Sequence, residues 1–327
     1  MKHITLLLLS ALSVTLSALA QGPLAPPGAP APTFKTLQQV EPRTPIANLP
    51  YFITQPGSYY VVTNLITGGS GGIVISNNNV TVDLNGFALI GAGGGNGVRV
   101  GGSRTNIAIR NGTLSGWNGA VDATSASSVQ LERISASHNV GTSALAAGDH
   151  ALVVACTADF NSNVGILAGL GSVVKMCAAS GNGGFGIQTF SGGTVSGCSV
   201  ISNTTDGIRL GFNSTVIDCT ASFNGNNGIS LSQGSLARNN TCVGNGGAGI
   251  VTTGFGNTVD QNHVANNSRG IEVPIASNLI IRNSASRNPP TGATSSSNYV
   301  FTGTPNFGPT NATTGVVTNH PWANFNF

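Results

Sequence analysis

A Gly-Ile pair returns every 21 residues through six windows: Gly165-Ile166, Gly186-Ile187, Gly207-Ile208, Gly228-Ile229, Gly249-Ile250 and Gly270-Ile271. A fixed period of this length marks a solenoid, in which each repeat buries its apolar edge only by stacking on its neighbours. Extending the register backwards puts Leu145, Val121, Val98 and Ile73 in the same column, at spacings of 21, 24, 23 and 25 residues, so the early coils are longer. Each coil divides into three short strands separated by turns rich in Gly, Asn and Ser, as in Gly207-Ile208, Ser214-Thr215-Val216-Ile217 and Thr220-Ala221-Ser222-Phe223. β-Branched residues without a helical stripe predict an all-β chain, a parallel β-helix of about ten coils with irregular caps at both ends. With equivalent strands about 4.8 Å apart, ten coils make a rod on the order of 50 Å long. Leucine-rich repeats share the period range but need a dense Leu template and a helical or 3₁₀ segment per repeat, and the sequence has neither.

Two other columns keep the same period. Asn161, Asn182, Asn203, Asn224 and Asn245 are each 21 residues apart, with Asn266 continuing the series. Stacked amides both donate and accept along such a column, so they satisfy turn groups that a regular sheet cannot reach. Cys156, Cys177, Cys198 and Cys219 run five residues ahead of it, and Asn240, Asn262 and Asn283 take similar places where the cysteines end. That places the sulfurs in the inner wall as filling. In-register side chains keep their Cβ atoms about as far apart as the Cα atoms, wider than a relaxed disulfide allows, which favours free thiols over one or two strained bridges.

The N-terminus carries Met1-Lys2-His3, an apolar run from Ile4 to Leu19 and the small-x-small closure Ala18-Leu19-Ala20. This predicts a signal peptide over 1–20 and export to the cell surface, the periplasm or the medium; no second apolar span of membrane length follows. A Pro-rich spacer, Gly22 to Pro32, lies within 21–50. The coils occupy 51–288, and 289–327, ending in Trp322-Ala323-Asn324-Phe325-Asn326-Phe327, is the expected cap over the last open strand edge. Only 7% of residues are charged and the cations are scattered, a poor footprint for nucleic acid.

The stretch from about Tyr51 to Asn288 resembles the right-handed parallel β-helix repeat proteins of the pectate-lyase-like superfamily. The residues that carry the resemblance are Val82-Asp83-Leu84-Asn85-Gly86, Ile109-Arg110-Asn111-Gly112 and the recurring Asn-x-x-x-Gly-Ile, as in Asn203-Thr204-Thr205-Asp206-Gly207-Ile208. These are specific for the fold and unspecific for activity, since the superfamily holds polysaccharide lyases, hydrolases, epimerases, adhesins and phage tail parts. For its lyases, the resemblance implies a sugar cleft on the outer face of the first sheet, with acids holding calcium and an Arg or Lys as base.

Tested against that expectation, the outward column beside the Gly-Ile strands is Val74, Arg99, Asp122, Ala146, Leu167, Gln188, Arg209, Ser230, Val251 and Glu272. One carboxylate near one Arg does not make a calcium site, which takes six to eight oxygens and more than one carboxylate. Arg99 and Asp122, with Arg209, are the catalytic candidates; the plainer expectation is a cross-strand ion pair between Arg99 and Asp122. Asp206 with Asp218 is the best remaining acidic grouping, each also explained as a turn residue. The histidines His138, His150 and His263 have no metal-ligand spacing, the Gly91 to Gly97 run lacks a phosphate-loop ending, and no metal or cofactor is implied. Phe190, Phe212 and Phe255 fall near the turn that follows the Gly-Ile strand. Facing outward they would form a stacking strip for sugar rings, although inward packing is the commoner fate of such residues. The sequence thus favours an exported, non-catalytic β-helix that contacts polysaccharide or cell-surface glycan. The alternative is a polysaccharide lyase or glycoside hydrolase acting on the outer face of the first sheet.

Overall fold

The computed structural model describes residues 35–36, 40–69, 71–289, 297–311 and 320–326. The chain divides into Met1–Pro42 and a body, Arg43–Phe327, and the architecture below is that of the body. The expected signal peptide and the Gly22 to Pro32 spacer lie outside the described residues. No helix among those described is long and apolar enough to cross a membrane.

The body is an all-β parallel solenoid of about eleven turns. Every coil contributes one strand to each of three sheets, and each sheet grows by pairing a strand with its equivalent one coil away. In the first sheet Ile73 pairs with Val98, Val98 with Val121, Val121 with Leu145 and Leu145 with Ile166, and the column then runs without a break to Ile271. Ile166, Ile187, Ile208, Ile229, Ile250 and Ile271 are all fully buried, each worth about 2–3 kcal/mol of apolar burial. Valines and alanines line the other two inner walls, with Val174, Val195 and Val216 in the second and Ala158, Ala179 and Val200 in the third. Stacking begins before Tyr51, since Thr44–Ile46 already pairs with Tyr59–Val61. It continues past Asn288, where Tyr299 stands in register over Ile271 and Phe325 beside Ser284.

From Asn139 onward, most corners of the prism are built from a left-handed residue followed by a ladder residue. After the third sheet, His138, Phe160, Ser202, Phe223 and Arg287 all have φ between 51° and 57°, each preceding a ladder Asn. That φ range costs an L-residue about 1–2 kcal/mol, which neighbouring bonds must offset. They do so through amides: the Asn203 Oδ1 accepts both the backbone N–H and the Nδ2 of Asn182, at 3.1 and 2.9 Å, while Asn203 Nδ2 donates to Ala179 O at 3.0 Å. The ladder starts one coil earlier than expected, at Asn139. It passes through Asn267, not Asn266, because that coil is one residue longer; Asn266 is the left-handed residue beside it.

The corner after the second sheet carries the cysteine column. Cys156, Cys177, Cys198 and Cys219 are buried free thiols that donate to backbone carbonyls, and Cys219 N–H donates to Asn240 Oδ1 at 3.0 Å, handing the column to Asn262 and Asn283. Cys242 packs inside the third sheet, where burial pushes its thiol well above the usual range. A third ladder, absent from the sequence reading, serves the corner after the first sheet: Ser214 N–H donates to Ser235 Oγ at 3.1 Å, Ser235 N–H to Asn257 Oδ1 at 2.8 Å and Asn257 N–H to Asn278 Oδ1 at 2.8 Å.

The glycine of the Gly-Ile pair makes room for the first of these ladders. A methyl group on Gly207 would stand 2.6 Å from Asn224 Nδ2 and 2.8 Å from Gly228 O, so any side chain there would push the next coil away. Hence Asn and Gly-Ile recur together.

Candidate functional site

The outward column of the first sheet has the expected register. Arg99 pairs in register with both Val74 and Asp122, Asp122 with Ala146, and Gln188 with Arg209. The ion pair expected between Arg99 and Asp122 is absent among the described residues. Asp122 Oδ2 instead accepts from Asn96 Nδ2 at 3.1 Å, and its Oδ1 from Thr124 Oγ1 at 3.0 Å. Both partners sit closer to the carboxylate than a guanidinium carried outward on a long stem, and Arg99 remains exposed. Two hollows meet at this point. One, of about 230 Å³, is lined by Asn96, Asn118, Asp122, Thr124, Thr142 and Ser143; the other, of about 360 Å³, by Gly71, Gly72, Val74, Gly95, Arg99 and Asp122. Arg209 takes no part in either. It lies four coils from Asp122, about 19 Å along the rod, with its guanidinium 4.9 Å from the centre of the Phe185 ring.

The remaining acids are dispersed and individually occupied. Asp206 is buried at the corner before Gly207, where its Oδ1 accepts from Asn226 Nδ2 at 2.8 Å and from Asn227 N–H at 3.1 Å. Asp218 lies at the corner between the second and third sheets and accepts from Asn239 Nδ2 at 2.5 Å. The grouping of Asp206 with Asp218 therefore does not form, since they belong to different corners. Asp260 is fully buried on the second sheet beneath Arg238 at 3.0 Å and Arg282 at 2.5 Å, and Arg282 in turn lies over the Trp322 ring at 5.1 Å. Asp83 accepts from Asn111 Nδ2 at 3.1 Å, from Asn85 N–H at 2.9 Å and from Arg110 at 3.1 Å. Burial works to raise its pKa, but these donors outweigh it and hold the carboxyl below its ordinary 3.8. Among the described residues no three His, Cys, Asp or Glu side chains come together in a way that would hold a metal ion.

The phenylalanines overturn the inward expectation. Phe190, Phe212 and Phe255 are 49%, 56% and 54% exposed at the corner after the first sheet. Gly192 N–H donates to Phe212 O and Gly234 N–H to Phe255 O, which fixes both residues beside the left-handed position of that corner. At that point the chain turns away from the core, and the inner wall is already filled by Ser214 and its ladder partners. Leu170 and Ile275, also exposed, extend the apolar ridge at its two ends.

A family model described as a right-handed β-helix region matches residues 164–264 and 187–304. No curated protein sequence matches the chain. Among solved structures the chain is similar to the A-module of the mannuronan C-5 epimerase AlgE4 of Azotobacter vinelandii, with 15% identity, a TM-score of 0.54, and coverage of 82% of this chain and 90% of that one. It is also similar to the Dettilon tailspike protein, with 14% identity, a TM-score of 0.56 and coverage of 87% and 60%. A third likeness is to the catalytic domain of a GH87 α-1,3-glucanase in complex with tetrasaccharides, with 12% identity, a TM-score of 0.56 and coverage of 79% and 62%. The chain thus spans less than two thirds of the tailspike and of the glucanase domain. At such identities the likeness is one of fold, which agrees with the stacked register and the corner ladders: this chain is a right-handed parallel β-helix repeat protein.

Proposed function

We propose that this is an exported β-helix that binds polysaccharide along its flank without altering it. The observation that carries the reading is the row of exposed rings, Phe190, Phe212 and Phe255, on a rigid ridge that follows the rod. Phe212 and Phe255 hold the same corner place two coils apart, about 10 Å along the rod, and Phe190 lies one coil before Phe212 and one residue earlier in its corner, so that separate sugars of an extended chain can meet separate rings. The printed descriptions of similar structures, an epimerase of mannuronan and a glucanase holding tetrasaccharides, support a carbohydrate partner. The dispersal of the acids supports a binding role, because glycoside hydrolysis with paired carboxylates needs two acids flanking one bond, and here Asp83, Asp122, Asp206, Asp218 and Asp260 lie apart, each with its own donors. The apolar run before Gln21 supports export, and an N-terminus at Gln21 in the mature protein is the expected result of Edman sequencing.

The test is retention on immobilised polysaccharides. The triple variant Phe190→Ala, Phe212→Ala, Phe255→Ala should lose about tenfold or more in affinity while melting like the parent, since all three rings are already in water. Unchanged retention would sink the reading. A second reading rests on the two hollows at Asp122: a carbohydrate-active enzyme using Asp122 and Arg99 on the outer face of the first sheet. It requires release of unsaturated or shortened sugars that stops in the Asp122→Ala variant.

A further inference from the structure

At the corner between the third sheet and the Gly-Ile sheet, two phenylalanines have the same unusual setting. Phe160 and Phe223 are 63% and 64% exposed, both at left-handed φ of 54° and 55°, three coils apart. Each ring leans along the rod across the glycine of the next coil. A methyl group on Gly181 would come within 2.7 Å of Phe160 Cδ1, and one on Gly244 within 2.6 Å of Phe223 Cε1. Phe160 is also held from the preceding coil by His138, stacked at 5.9 Å with the ring planes 26° apart. Rings kept in place from their neighbours lose little conformational freedom when something stacks on them.

Beside these rings, which follow directly on Asp159 and Ser222, lies the outer face of the third sheet, in strict register. One column runs Thr157, Ala178, Ser199, Thr220, and the other Asp159, Ser180, Ile201, Ser222. The face is flat and short-chained, and its only ionisable group, Asp159, already accepts from Ser180 Oγ at 2.6 Å. Each of these coils thus carries at least one hydroxyl, from one column or the other, with the two columns about 7 Å apart and the Phe160 and Phe223 positions about 14 Å apart along one edge. No cation on this face answers an anionic polymer, whereas short hydroxyls and rings on a flat sheet match the hydroxyls and flat ring faces of sugars packed side by side.

We infer that the third-sheet face, edged by Phe160 and Phe223, is a second docking surface, whose partner is an uncharged polysaccharide presented as a packed, insoluble surface. The inference rests on the polysaccharide reading above but concerns a different flank. The full-length protein is mixed with microcrystalline cellulose, chitin and insoluble β-1,3-glucan, with calcium alginate gel as the acidic comparison, and the unbound fraction is measured at low and high salt. The parent should bind at least one neutral solid with little salt dependence. Phe160→Ala with Phe223→Ala should weaken that binding about three- to tenfold, with an unchanged far-UV spectrum and melting point. Parent binding that survives this pair but is abolished by the Phe190, Phe212, Phe255 triple variant overturns the second surface and leaves the first standing. Binding confined to alginate and lost with salt overturns the neutral-partner assignment. No binding to any solid overturns both.

Discussion

At the scale of single residues, the fold depends on side chains that do the work of backbone. Asn203 supplies partners to three groups at one corner, so Asn203→Ala takes a partner from the backbone N–H and the side-chain amide of Asn182 and from the carbonyl of Ala179 inside the wall, although the amide keeps Ala158 O. The expected cost is about 2–3 kcal/mol, seen as a melting point lower by on the order of 5–10 °C. Asn266→Gly, one position off the ladder and at φ 56°, should leave the melting point near that of the parent. Asp83 gives a pH-dependent case. Its folded pKa is depressed, so its contribution is present above the unfolded value near 3.8 and is lost as pH falls through the lower folded value. Melting curves taken between pH 5 and pH 2 should therefore converge for the parent and Asp83→Asn at the acidic end, and differ most at the upper end. The Asn column was legible in the sequence because one residue type repeats at one spacing. The ladder through Ser214, Ser235 and Asn257 was not, because a hydroxyl and an amide serve the same bond there and no single letter recurs. The outward turn of Phe190, Phe212 and Phe255 was hidden for another reason: it depends on corner backbone angles, and hydrophobicity alone argued for the interior.

The unit at the next scale is the coil. Its inner face is closed by one residue from each sheet, as in Ile166, Val174 and Ala179 or Ile187, Val195 and Val200. Ile208→Asp places an unpaired carboxylate between Ile187 and Ile229, which no donor in that wall can reach. Because coils touch only their neighbours, damage should be strongest locally: hydrogen exchange should accelerate first in 187–231, ahead of the early coils, or the chain should fail to accumulate as folded protein. Protection and melting equal to the parent's would show that this position is not interior. The coil boundaries could be read from the Gly-Ile period even through the longer early turns, since Val98, Val121 and Leu145 keep the inward apolar place whatever the turn length. The partners of Asp122 could not, because Asn96, at the start of its strand, and Thr124 both lie off the Gly-Ile column that the period indexes.

For the whole body, an open end is the vulnerable point. Tyr299, Phe301 and Phe307 pack edge to face over the last coils, and the Tyr299 hydroxyl donates to Asn283 O at 2.9 Å. Tyr299→Ala uncovers Ile271 and the strand edge above it, and light scattering at rising concentration should reveal association that the parent does not show. The equal corners also mean that the rod has no privileged middle. In the later coils each winding meets its predecessor through similar seams, so Gly186 can precede Ile208 as Gly207 does. Excising 187–207 and joining the two ends is then expected to yield a shorter cylinder with intact seams, whereas removing ten residues from the same region would leave every seam beyond the cut out of step. Such a molecule can lengthen or shorten in whole steps between generations, keeping its cross-section while the reach of its flanks changes.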